Sequence, residues 1–111
     1  KYEEALGAFE KATLLDPGRF DVWGMKAACL TALKKYDEAL TVHGKVIEMA
    51  PEYVTGLYNR ACTYSLMGNK AKALIDLKAA VEKNPRFKQH ARTDKDFQSL
   101  WEDEEFRKLT E

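Results

Sequence analysis

Few side chains in this chain of 111 residues are suited to chemistry: Cys29, His43, Cys62 and His90 are its only thiols and imidazoles. A zinc centre draws on such residues at close spacing, yet there is no C-x2-C and no H-x3-H pair, so no metal site is expected. Catalysis needs converging groups. No G-x-S-x-G, G-x-x-x-x-G-K-[ST] or G-x-G-x-x-G occurs, so no nucleophile elbow, phosphate loop or dinucleotide turn is expected, and no cofactor. Cys29 and Cys62 read as small core or groove fillers. The acids, among them Glu48, Asp76 and Glu82, lie among lysines and read as solvated helix faces carrying weak helix pairs. The residues give no reason to expect an enzyme.

The elements that carry these residues follow from a spacing. Residues 1–17 read KYEEALGAFEKATLLDP and residues 35–51 read KYDEALTVHGKVIEMAP, 34 residues apart. Pro17, Pro51 and Pro85 keep that step, as do Ala5, Ala39 and Ala73, and Leu6, Leu40 and Leu74. Each unit holds two stretches with apolar residues at helical spacing: Trp23, Ala27, Leu30 and Leu33, then Leu40, Val42, Val46, Ile47 and Met49; and Leu57, Ala61, Tyr64 and Met67, then Ala73, Leu74, Leu77 and Val81. Gly68-Asn69 marks a turn between two helices, and each proline sits where a helix must stop. Alanines recur where two antiparallel helices cross closely. A lone hairpin cannot bury its apolar face, so a 34-residue repeat implies stacked copies.

Composition bounds the partners. Eighteen basic and eighteen acidic residues cancel, which leaves no long-range attraction to nucleic acid or anionic lipid, and neither is expected as a partner. No apolar run reaches the 18 residues or more of a membrane span. Two cysteines fall short of a disulfide framework, which favours a reducing, cytoplasmic setting. The chain does not begin with Met and opens inside a repeat, as expected of part of a longer protein.

The repeating residues resemble the tetratricopeptide repeat pattern, W-x2-L-G-x2-Y, then A-x3-F, then P. Residues 18–51 fill its slots with Trp23, Lys26, Ala27, Leu30, Ala39, His43 and Pro51; residues 52–85 fill them with Leu57, Arg60, Ala61, Tyr64, Ala73, Leu77 and Pro85. Residues 1–17 supply only the second helix of a first repeat, with Ala5, Phe9 and Pro17. Lys26 and Arg60 at a leucine slot, and His43 at a phenylalanine slot, depart from the pattern. Residues 86–111 break the period. They read as a short helix near 87–93 followed by DKDFQSLWEDEEFRKL, which looks like the D-x-D-F-x-x-L-x-x-D-x-x-F segment that closes such arrays. The resemblance implies an all-α fold, an α-solenoid of about two and a half antiparallel hairpins plus a C-terminal helical cap.

It also implies a function: a non-catalytic adaptor or scaffold that takes a peptide or helix of another protein in a concave groove lined by the first helix of each pair. That groove would be lined by Asp21, Gly24, Ala28 and Thr31, by Thr55, Tyr58, Asn59, Cys62 and Ser65, and by Gln89. Tyr58 would offer area and a hydroxyl, and Asn59 would bond an extended backbone. Some family members clamp a terminal carboxylate with lysine, asparagine and arginine. Here Asn59 matches one slot, but Gly24, Ala28, Gln89 and Thr93 fill the others without a cation, so the clamp is not expected. Two alternatives are a regulatory segment of a larger multidomain enzyme and self-association, a homodimer formed through Leu6, Phe9 and Leu14 exposed on the first helix.

Overall fold

A computed structural model describes residues 1–111. It is all helical: α1 spans Tyr2–Leu15, α2 Phe20–Ala32, α3 Tyr36–Met49, α4 Val54–Met67, α5 Lys70–Lys83 and α6 Arg86–Thr93. A 3-10 helix over Lys95–Leu100 and α7 over Glu104–Leu109 follow. The chain forms two compact units, Lys1–Gly56 and Leu57–Glu111. No helix is long and apolar enough to cross a membrane.

Local sequence sets the helix ends. α1 and α3 end at Asp16 and Ala50, one residue before Pro17 and Pro51. Proline has no N–H to continue the ladder, and it drives the residue before it out of the helical region. The α2–α3 and α4–α5 turns repeat one device. After α2, Lys34 N–H donates to Thr31 O (2.9 Å) and Lys35 N–H to Leu30 O (2.8 Å). After α4, Gly68 N–H donates to Ser65 O (3.0 Å) and Asn69 N–H to Tyr64 O (2.9 Å). Both are the paired bonds of a Schellman cap, which requires a left-handed residue at its centre. Gly68 meets that at φ 84°; Lys34, one repeat earlier, meets it at φ 61° despite its Cβ.

In the first unit, Leu6, Ala27, Cys29, Leu30, Ala39 and Val42 form the core, with Ala5, Phe9, Trp23 and Leu33 packed on it. Ala27 and Ala39 have no exposed surface, the mark of a close helix crossing. Trp23 Nε1–H donates to Pro17 O (2.9 Å), tying α2 to the preceding turn. The Lys26 and Lys45 ammonium groups stand 5.1 and 5.8 Å from the Trp23 ring centroid. Lys26 therefore fits a leucine slot by laying its stem along the fold and its charge over the indole. His43 is buried at its aromatic slot. The expected apolar stripe on α1 is corrected: Leu6 is buried and Phe9 packs on the core, which leaves Leu14 and Leu15 exposed.

In the second unit, Ala61, Ala73, Leu77 and Ala80 are fully buried in the α4–α5 hairpin. Arg60, the other charged residue at a leucine slot, donates two bonds to Asp76: Nε to Oδ2 at 2.7 Å and Nη2 to Oδ1 at 3.0 Å. Asp76 is buried, which corrects its reading as a solvated surface acid. The fork geometry of the guanidinium matches the carboxylate and raises the Arg60 pKa through that bond. The closing segment buries Ala91, Phe97, Leu100 and Phe106, and Trp101 Nε1–H donates to Ala91 O (3.3 Å). Asp94 caps the 3-10 helix by accepting from Asp96 N–H (3.0 Å), and Asp103 caps α7 by accepting from Phe106 N–H (3.1 Å). Lys70, at the start of α5, pairs with Asp103 at 2.5 Å and so fastens α7 to the hairpin.

Candidate partner-binding surface

In the first unit, Asp21, Gly24, Ala28 and Thr31 follow one another at helical spacing along a single face of α2. The core of that unit uses the neighbouring face, through Trp23, Ala27 and Leu30. Asp21 and Ala28 are exposed, and Gly24 and Thr31 half-buried. A Cβ at Gly24 would meet nothing within 4 Å, so the stripe is open at its middle. Arg19 marks one end: its Nη2 lies 2.6 Å from Asp21 Oδ2 and its Nε donates to Oδ1 at 3.2 Å. That hydrogen bond lowers the Asp21 carboxyl below its ordinary value and raises the guanidinium. The small residues offer shape and backbone access more than charge.

One repeat on, the same positions are Thr55, Tyr58, Cys62 and Ser65, and three of these four behave differently. Tyr58 is only 3% exposed; its O–H donates to Asp94 Oδ2 at 2.8 Å. Its ring stacks on Phe87, with centroids 4.7 Å apart at 23°, and meets His90 and Phe97 edge-on at 5.3 and 5.5 Å. Burial, aided by the Asp94 bond, pushes its phenol pKa well above the ordinary range. Cys62 and Ser65 are buried as well. The expectation that Tyr58, Cys62 and Ser65 line an open groove is corrected. Residues 87–97 of the closing segment cover Tyr58 and Cys62, because Tyr58 is large enough to reach Phe87, His90 and Phe97, and Asp94 accepts hydrogen bonds from both. Thr55 and Asn59 are half-buried, and Gln89 is exposed.

No residue of this surface is poised for chemistry. Cys29 and Cys62 are free and buried, and burial raises both thiols, which opposes the thiolate a nucleophile needs. Sequence reasoning missed Asp94 and Asp76. A signal for Asp94 was present in the D-x-D-F spelling, since an aspartate ahead of a short helix reads as a cap. No signal marked Asp76, whose partner stands 16 residues upstream on another helix.

Hairpins repeated at a 34-residue step, with a closing helical segment, define a helical-repeat interaction module. Two family models, each described as tetratricopeptide repeat, match residues 1–52 and 54–87. The chain belongs to the tetratricopeptide repeat family. It is similar to a DnaJ homolog subfamily C member 3 homolog of Dictyostelium discoideum, at 32% identity over 77% of this chain and 18% of that protein. The mitochondrial import receptor subunit TOM70 of Homo sapiens is 31% identical over 71% of this chain and 14% of its own length. Serine/threonine-protein phosphatase 5 of Mus musculus is 29% identical over 78% of this chain and 17% of its own length. The chain therefore spans less than a fifth of each of these three relatives.

Proposed function

We propose that the chain is an adaptor that holds a peptide segment or helix of another protein along the exposed face of α2, on Asp21, Gly24, Ala28 and Thr31. The observation that carries this reading is the open, small-residue stripe on a rigidly packed hairpin. A backbone can approach closely where side chains are absent, and the exposed Asp21 supplies a polar group to fix its register. Thr55, in the same unit, also retains surface, and Asn59 and Gln89 keep surface in the second unit. Tyr58 and Cys62 serve the packing of the closing segment instead, and Ser65 is buried. Similarity to an import receptor subunit supports a receptor-like role toward another molecule, here read as a polypeptide. Similarity to part of a phosphatase supports a second reading, a regulatory segment attached to a catalytic domain, which uses the same surface.

The test is affinity capture with mass spectrometry, comparing the wild type with Gly24→Arg/Ala28→Arg. A Cβ at Gly24 meets nothing within 4 Å and Ala28 is exposed, so the variant should fold and melt no lower than the wild type. Partners held by the wild type and lost by the variant support the reading. An unchanged set of partners overturns it.

A further inference from the structure

The closing segment brings three ligand-type side chains together at one point. Cys62 projects from α4, and Asp94 and Asp96 begin the 3-10 helix. The Cys62 Sγ and one carboxylate oxygen from each aspartate all lie within 4.8 Å of one another. Sγ is 3.9 Å from Asp94 Oδ2. Cys62 is buried, while the two aspartates are half-buried, so the cluster is open on one side. Ser65 adds a separate observation. It lies one turn beyond Cys62 on the same face of α4, is 4% exposed, and its Oγ has no hydrogen-bond partner. One helical turn from Cys62, this buried hydroxyl is a polar group that the protein itself leaves unanswered.

The geometry points to a binding site for a divalent cation of the zinc class, held by Cys62 Sγ, Asp94 and Asp96, with water completing the shell. Ligands about 2.0–2.3 Å from a tetrahedral ion lie roughly 3–4 Å from each other, which small side-chain rotations reach from the observed spacing. A thiolate selects against magnesium and calcium, and two carboxylates select against cuprous ion. Asp94 is already oriented by two donors: Tyr58 O–H at 2.8 Å on Oδ2 and Asp96 N–H at 3.0 Å on Oδ1. Oδ2 also accepts from Cys62 S–H, and loss of that proton on binding leaves each Asp94 oxygen a second lone pair, so Tyr58 and the Asp96 N–H act as the outer-shell support typical of metal ligands. On binding, the Cys62 S–H proton passes to water and an S–metal bond forms, without any change of oxidation state. The ion would pin the closing segment to α4 across 32 residues of chain, stabilising the cap whether or not the α2 face binds a peptide.

The experiment uses the whole chain after chelator treatment. Cobalt(II) is titrated while the thiolate-to-cobalt absorption is followed, and thermal melts are recorded with zinc and with magnesium. The expected result is a one-to-one thiolate band and a higher melting temperature with zinc but not with magnesium. Cys62→Ser abolishes the band, Asp96→Asn weakens binding by about tenfold or more, and Cys29→Ser changes neither. Should Cys62→Ser fail to fold, Asp96→Asn and Cys29→Ser still decide. No thiolate band, a band lost with Cys29→Ser, or equal zinc binding in Asp96→Asn overturns the site.

Discussion

Tyr58 separates two accounts of this protein, one in which it meets a partner and one in which it holds the closing segment, and the two predict different melts. Tyr58→Phe keeps the ring against Phe87, His90 and Phe97 and removes only the O–H that donates to Asp94 Oδ2 at 2.8 Å. A hydrogen bond to a charged acceptor contributes about 1.5–3 kcal/mol. Asp94 is half-buried and water can replace part of that bond, so the lower end, about 1.5 kcal/mol, applies. Tyr58→Ala also empties a site that is 3% exposed. Truncating a buried aromatic costs about 3–5 kcal/mol. For a chain of this size 1 kcal/mol moves the melt by roughly 4 °C, so the drops are about 6 °C and about 12–20 °C. Circular dichroism reads both, and limited proteolysis of Tyr58→Ala would show early cleavage after residue 86. A Tyr58→Ala melt within about 3 °C of wild type would refute the packing argument and return Tyr58 to the exposed surface.

Three further perturbations address other links. Lys34→Gly relieves the left-handed strain at φ 61°, an L-residue cost of about 1–2 kcal/mol offset in part by the flexibility of glycine, so the melt should rise by about 2–4 °C; a fall would contradict the cap geometry. Asp76→Ala strands the Arg60 guanidinium and should cost about 2–4 kcal/mol, read by urea titration, whereas Arg60→Leu/Asp76→Ala should recover most of the loss. Burial, and then the charge of Asp94, raise the Asp96 carboxyl above its ordinary value. The folded state therefore holds that proton more tightly, and stability falls as pH rises from the ordinary carboxylate range through the raised value. In chelator, Asp96→Asn should be more stable than wild type at about pH 7 and lose that advantage near pH 3, where the aspartate is protonated in both states. An advantage independent of pH would contradict this.

What was legible in the sequence was whatever repeats. The 34-residue step carries the helices, the alanine crossings and the Gly68 cap, because each is a local requirement met again in every copy. What was not legible depends on side chains meeting across elements. Arg60 looked like a flaw at a leucine slot until α5 brought Asp76 to it. Tyr58 looked like the counterpart of Gly24 and hence a groove residue. Its fate was set by Phe87 and Asp94, which lie beyond the period and follow no repeat rule. Cys62 showed no ligand motif because its neighbours stand 32 and 34 residues away and join only through the fold. The α2 stripe was readable because its residues share one helix face, where spacing alone fixes direction.

The α2 face is proposed to receive a polypeptide. The most direct measurement is an amide NMR titration of the labelled chain with the segment captured by the wild type. The account predicts the largest shifts at Asp21, Gly24, Ala28 and Thr31, little change at α7, and no binding by Gly24→Arg/Ala28→Arg. Shifts confined to α1, α3 or the closing segment, with full affinity in that variant, would contradict it.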